Sequence, residues 1–255
     1  MAQYEAIRSQ VRSRFGIELG PDRQAMVRRR LGSLADGSAL VASVVAGTPS
    51  ASELSRIADV LTTNHTHWGR EAAHFDRLIE WLDRCTAPRV RIWCAASSTG
   101  EEPYTLWAAA QLSKHGAKRA SILATDISDR ALSVAREGLY EADGIARLPS
   151  RLRQVLFTRP RGDGMVSVVP EARKGVMFRR LNLMTNPLPF RHPMHVIFCR
   201  NVVIYFEGDD RRSVVQRQVD QLVPGGLYCF GLAESIPKGV VGLERVGPSV
   251  FVKRS

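Results

Sequence analysis

Several features are missing from this 255-residue sequence, and each absence removes a class of protein. No apolar run approaches the roughly 20 residues of a membrane span. The first residues, MAQYEAIRSQ, lack the charged-then-apolar layout of a signal peptide. A cytoplasmic protein, not embedded in a membrane, is therefore expected. The four cysteines, Cys85, Cys94, Cys199 and Cys229, show no C-x-x-C spacing, and three lie in apolar runs that read as strands. There a cysteine serves as a small core hydrophobe, so neither disulfides nor a metal site is expected. Internal repeats and long low-complexity tracts are absent. Acids are scarce: 25 Asp and Glu face 36 Lys and Arg, for a net charge of +11. Between Ile145 and Leu181 nine basic residues face two acids. Such a surface favours an acidic partner, whether nucleic acid, anionic membrane or carboxylate-rich protein.

What is present has the makings of a globular core, with 44% hydrophobic residues and 24% charged. Residues 1 to about 62 read as helices. Tyr4, Ile7, Val11 and Phe15 recur at spacings of three and four, and Gly16 suits the end of that helix. Pro21 and Asp22 open a second helix, with Met26, Val27, Leu31 and Leu34 inward and Arg23, Arg28, Arg29 and Arg30 outward. Ser50 or Ser52 caps a third, ahead of Leu54, Ile57 and Leu61. From Arg89 the pattern changes to alternating strands and helices: VRIWCAA, then a helix from Glu102 to Gly116, ASILATDI, the helix SDRALSVAREGLY, HVIFCRN, a helix stopped at Pro224-Gly225-Gly226, and GLYCFGL. Continuous apolar strands alternating with helices imply a parallel sheet covered on both faces. The tail reads as a closing antiparallel hairpin. MVSVV and VMFRRL, with the turn signal GDG before them, read as a small antiparallel insertion with a basic skin.

In an open parallel sheet, ligands sit outside the carboxyl ends of the strands. After the first strand comes AASSTGEEP, whose small side chains let a ligand approach the backbone or simply make a tight turn. It is not the G-x-G-x-x-G pattern. After the second strand comes Asp126, placed to accept ribose hydroxyls or to cap a helix. Two glutamates beside the first loop argue against a pyrophosphate and suit a cationic ammonium. Ribose plus ammonium without phosphate describes S-adenosylmethionine better than a nicotinamide dinucleotide. The sequence has neither Pro-Pro nor Pro-Cys, one usual near the catalytic strand of nucleic-acid aminomethyltransferases and the other needed by cytosine C5 enzymes, so base methylation loses support. The run FCRNVVIYF interrupts a buried strand with Arg200 and Asn201. A buried arginine is too costly to leave unpaired, so it either pairs or works.

Five motifs, LTTNHTHWGREAAHF, RIWCAASSTGEEPYTL, ATDISDRALSVAREGLY, LNL and FCRNVVIYF…LVPGGLYCFGLAES, occur in the order and at roughly the spacing of the CheR-type chemotaxis receptor methyltransferases. The resemblance covers almost the whole chain. It implies an α/β fold: an all-helical N-terminal domain over residues 1–62, and a Rossmann-like methyltransferase sheet domain over 63–255. Within the latter lies a small antiparallel β-subdomain insertion at about 155–180. It implies transfer of the methyl group of S-adenosylmethionine to receptor glutamates, giving γ-glutamyl methyl esters and S-adenosylhomocysteine. Carried over by motif, Asn64, Thr66 and Arg70 line the cofactor pocket. Glu102, or else Glu101, meets the methionine part; Asp126 holds the ribose; Asn182 and Leu183 flank the adenine; Arg200 and Asn201 complete the wall. Arg70 and Tyr205 resemble the catalytic pair that faces the methyl group and the incoming glutamate. Expected partners are the acidic methylation helices of a receptor's cytoplasmic part, which Arg28–Arg30 either greet or ignore as a solvated face. In some members the β-subdomain docks a peptide at the receptor's C-terminus, and the compact RPRGDG turn resembles theirs. No nucleic acid is expected. His67 and Trp68 stand where the family commonly has two aromatics, and GLAES replaces a more usual Gly-His-Ser-Glu stretch.

A glutamate with an ordinary pKa of about 4.3 is already a nucleophile at neutral pH, so the reaction needs alignment rather than a strong base or a metal. Arg70 is the candidate cation to orient the acid, and Tyr205 either donates a hydrogen bond, packs beside the sulfonium or is a core aromatic. Two competing readings are an RNA or small-molecule methyltransferase and a non-catalytic module that senses the cofactor and docks on a receptor array.

Overall fold

The computed structural model describes residues 2–62, 65–160 and 162–254. Four helices open the chain: α1 (Ala2–Phe15), α2 (Gln24–Gly32), α3 (Gly37–Val45) and α4 (Ala51–Leu61). The apolar stripe of α1 is buried as its spacing predicts, with Tyr4, Ile7, Val11 and Phe15 packed on Val27, Leu31, Val44, Ile57 and Leu61. Of the two candidate caps for α4, Ser50 is the one used. Its hydroxyl accepts the Glu53 N–H at 3.2 Å while the Glu53 carboxylate accepts the Ser50 N–H at 2.8 Å. Helix α3, GSALVASVV, has no polar side to announce it and was not foreseen.

The rest alternates: α5 (Ala73–Arg84), β1 (Val90–Cys94), α6 (Glu101–Leu112), α7 (Gly116–Arg119), β2 (Ala120–Asp126), α8 (Asp129–Glu137), β3 (Leu139–Glu141), α9 (Ser150–Leu156), β4 (Met165–Ser167), α10 (Pro170–Gly175), β5 (Val176–Arg180), β6 (Met194–Phe198), α11 (Gly208–Asp220), β7 (Leu222–Cys229), β8 (Leu243–Gly247) and β9 (Val250–Lys253). The main sheet has the order β5-β2-β1-β6-β7-β9-β8. The first five strands are parallel and the last two antiparallel, the closing hairpin. Separate apolar cores cover its two faces. From β1 the chain runs outward through β2 and β5, then returns to the other side of β1 as β6. The strand order therefore reverses between β1 and β6, where an α/β sheet opens a ligand crevice.

Several expectations are corrected. VMFRRL does not belong to the antiparallel insertion. It is β5, the outer strand of the main sheet, parallel to β2 with Val176 opposite Ile122 and Arg180 opposite Asp126. The antiparallel partner of Met165–Ser167 is instead Leu139–Glu141, which had been read as the end of a helix. Gly138 stops α8 in a left-handed conformation, φ +61°, and so releases Leu139 into a strand. Alternating apolar residues announce a strand but not its partner. The small antiparallel sheet therefore consists of β3 and β4. Likewise α11 ends at Asp220, and Pro224-Gly225-Gly226 lies within β7, beside an irregularity in its pairing with β6.

No described helix is long and apolar enough to cross a membrane. Cys94, Cys199 and Cys229 are buried, and no group of three or more metal-ligating side chains occurs among the described residues.

Candidate active site

A cleft of about 1170 Å³, part of it open to solvent, lies at the carboxyl ends of β1, β2 and β6. It draws together Thr66, Arg70, Glu101, Glu102, Asp126, Asn182, Leu183, Arg200, Asn201 and Tyr205 from five separate stretches of chain. Asn64 lies outside the described residues.

Its floor is an ion network. The Arg200 side chain is 1% exposed and fully engaged. Nη1 donates to Glu102 Oε2 at 2.5 Å, Nη2 to Glu71 Oε2 at 2.9 Å and to the Arg70 carbonyl at 2.7 Å, and the guanidinium stands 5.6 Å from the Phe75 ring centre. The arginine inside FCRNVVIYF pairs. Burial pushes Glu71 up, but Arg200 outweighs it and holds this carboxyl below the usual range. Burial wins at Glu102, whose pKa is raised despite the same guanidinium. Its other oxygen meets Cys94 Sγ at 3.2 Å. Glu101 is also pushed up by burial, with Thr99 Oγ1 donating to its Oε2 at 2.7 Å.

Asp126 ends β2. Its carboxylate accepts the Ser98 N–H at 2.8 Å and the Ser128 N–H at 3.0 Å. The helix cap is Ser128, whose hydroxyl accepts the Ala131 N–H at 3.1 Å. Asp126 is thus free of the capping role that competed for it, and burial raises its pKa.

The mouth is built differently. Arg70 Nη1 donates to the His65 carbonyl at 3.1 Å, and no carboxylate pairs with this guanidinium among the described residues. Its loop is pinned to the small subdomain: Trp68 packs edge-on to Tyr140 and Phe157, each 4.9 Å between ring centres. Gly69 takes φ +74°, and a Cβ there would come within 2.4 Å of the Arg147 carbonyl, so only glycine fits. Tyr205 closes a short 3-10 turn, Val203–Tyr205, and its hydroxyl has no hydrogen-bond partner among the described residues. The Tyr205 carbonyl accepts the Glu18 N–H at 3.2 Å.

Three contributions were missed. Glu71 follows Arg70 directly, and the need of a buried arginine for an acid was the signal that pointed to it. Glu234, in GLAES, accepts the N–H groups of Asn201 at 2.6 Å, Val203 at 2.8 Å, Ile204 at 3.3 Å and Gly231 at 2.9 Å; nothing in its sequence surroundings announces this. The helical N-terminal region supplies a wall of the cleft through Phe15, Ile17, Glu18 and Leu19. It is tied down where Asn182 Nδ2 donates to the Arg14 carbonyl at 2.6 Å. Arg28–Arg30 also divide. Arg30 reaches the Val60 carbonyl at 3.1 Å at the end of α4, whereas Arg28 and Arg29 are exposed.

A parallel sheet with this switch point, a buried acid at the end of β2 and carboxylates in place of a phosphate cradle fits a methyltransferase of the S-adenosylmethionine-dependent class. The residues fit that cofactor, since small Ala95 and Ala96 line the cleft beside Glu101, Glu102 and Asp126. The family model described as "CheR methyltransferase, SAM binding domain" matches residues 64–249, and the chain belongs to that family. Relatives named "Chemotaxis protein methyltransferase" include that of Borreliella burgdorferi, 32% identical over 95% of this chain and 91% of the relative. That of Vibrio parahaemolyticus is 35% identical over 88% and 86%, and that of Escherichia coli is 32% identical over 92% and 84%. S-adenosylmethionine is the cofactor, and the activity is methylation in chemotaxis.

Proposed function

We propose that the acceptor is a glutamate side chain of a chemoreceptor's cytoplasmic part, and that the product is a γ-glutamyl methyl ester. One observation carries this reading: Arg70 is a cation at the mouth with no carboxylate partner among the described residues, while Arg200 on the floor is neutralised by two. An acidic substrate is drawn to the first and ignored by the second.

When bound, S-adenosylmethionine supplies a methyl group on a positively charged sulfur. Asp126, pre-oriented by two backbone amides, takes the ribose hydroxyls. Glu101 takes the methionine ammonium; both oxygens of Glu102 are already committed to Arg200 and Cys94, which makes Glu102 a brace for Arg200. Asn182 and Leu183 flank the adenine, and Thr66 and Asn201 border the same space. At the acceptor side Arg70 orients the carboxylate, and the Tyr205 hydroxyl steadies either that carboxylate or the sulfonium edge. Held there, the cofactor would supply a methyl carbon to the carboxylate oxygen that Arg70 orients, and the electron pair of the carbon–sulfur bond would stay on sulfur. No proton moves, so neither residue acts as a base. Alignment of this kind is worth up to about 7–11 kcal/mol in the best model systems.

Purified chain, radiolabelled cofactor and a receptor cytoplasmic fragment test the reading. Base-labile methanol release is expected, and its loss in Arg70→Ala. Methyl groups that resist base would point to nitrogen acceptors and overturn it.

A further inference from the structure

The turns at the mouth begin where two neighbouring strands stop. Pairing of β6 with β7 reaches Phe198 and Cys229, and beyond it the Cys199 N–H donates to the Cys229 carbonyl at 3.0 Å. From there the chain makes two separate turns, Asn201–Tyr205 after β6 and Gly231–Glu234 after β7. Parallel strands share no hairpin that would fix one turn against the other. The Glu234 carboxylate does so instead, 6% exposed and outside the cleft lining. One oxygen accepts the N–H groups of Val203 and Ile204, the other those of Asn201 and Gly231. The Glu234 N–H donates to the Gly231 carbonyl at 2.9 Å and closes its own turn. That turn is fastened to the floor, since the Leu232 N–H is bonded to the carboxylate of Glu71, which also holds Arg200.

We propose that Glu234 is a positioning residue for methyl transfer, which passes the fixed position of the floor to Tyr205 without touching donor or acceptor. The inference rests on the role given to Tyr205 above and names the group on which that role depends. Asn201 sits at φ +57°, a left-handed conformation that a residue with a side chain seldom holds without support. Its N–H makes the shortest of the four bonds to Glu234, 2.6 Å. The Val203 and Ile204 amides belong to the 3-10 turn that ends at Tyr205. With no partner for the Tyr205 hydroxyl among the described residues, its position follows from the backbone of that turn. A displacement of about 1 Å at a reacting centre costs up to about a hundredfold in rate, so a group that sets this backbone bears on the reaction from outside the cleft.

The test is a double-mutant cycle of Glu234→Gln and Tyr205→Phe in the full chain, with a receptor cytoplasmic fragment as acceptor. Glutamine keeps the shape but turns one oxygen into an NH2 group, which then faces amide donors that it cannot accept. The kcat/KM for the fragment is expected to fall about tenfold in Glu234→Gln and about tenfold or less in Tyr205→Phe. Because Glu234 acts through Tyr205, the double variant should fall no further than the worse single one, whereas independent losses multiply to about a hundredfold. S-adenosylhomocysteine affinity by calorimetry should change less than kcat/KM. An unchanged kcat/KM in Glu234→Gln overturns the proposal. So does multiplication in the double variant, the result of a merely structural role. Gly231→Ala gives a second route if Glu234→Gln does not fold. A Cβ there runs into Asn201 Nδ2 and comes within 3.0 Å of Glu234 Oε2, so it disturbs the same contacts without removing the carboxylate, and its effect should likewise vanish in Tyr205→Phe. A wild-type chain that binds S-adenosylhomocysteine but forms no base-labile ester fails before any variant is compared. That result sinks the glutamate reading, and the role of Tyr205 with it.

Discussion

The floor and the mouth of the cleft each place an arginine within reach of the same space, and they treat it in opposite ways. Arg200 is buried and held by Glu71, Glu102 and a carbonyl; Arg70 is half-exposed and held by one carbonyl. The first guanidinium is structural charge, since burying it without partners would be prohibitive. The second keeps its charge available. The proposed reaction, a cationic donor beside an anionic acceptor, needs this division: carboxylates below, an unspent cation above.

Breaking the floor should cost the most. Arg200→Ala leaves two carboxylates without their counter-charge, a loss of about 3–5 kcal/mol for a broken buried pair. Thermal denaturation should show a fall of about 2–4 °C for each kcal/mol in a chain of this size. Arg70→Ala should behave in the reverse manner. Its stability should stay within about 0.5 kcal/mol of wild type, as for a surface site, while ester formation falls at least about a hundredfold, in line with loss of an electrostatic donor at a reacting centre. If both variants unfold alike, the division between floor and mouth is wrong.

Glu234→Ala should sit between them. It strips four amides of their acceptor and should destabilise by about 1–3 kcal/mol. Because both mouth turns hang on it, receptor KM should rise while S-adenosylhomocysteine affinity changes less, and calorimetry with kinetics separates the two. Tyr205→Phe keeps the ring and loses one hydrogen bond, so a fall in kcat of about tenfold or less is expected. The smallest effect concerns pH. Burial, then Arg200, lowers the pKa of His74, whose Nε2 faces the Pro248 carbonyl at 3.2 Å. The unfolded chain takes up this proton near pH 6.5, and the folded protein only at lower pH. Stability is therefore full above about 6.5 and is lost as pH falls through the window down to the lowered folded value. Urea midpoints should drop across that window, and His74→Gln should flatten the drop.

Much of this was legible in the chain. Spacings of three and four located α1, α2 and α4, and continuous apolar runs located the parallel strands. The residues after each strand marked the cleft, because a parallel sheet delivers its strand ends to one edge. The strand VMFRRL was assigned to the wrong sheet, since its alternation is the same whether its neighbour is β2 or β4. Glu234 was invisible, because an acid in a Gly-rich turn looks like any solvated acid until four amides are found around it.

The sequence alone determined the periodicities, the strand-end residues and hence the donor's chemistry, all of which are local or depend on one strand at a time. Only the tertiary structure decided which acids neutralise Arg200 and which guanidinium has no carboxylate among the described residues. Those are pairings between residues more than a hundred positions apart in some cases, such as Arg200 with Glu71 at |i−j| of 129, and no local pattern encodes the partner.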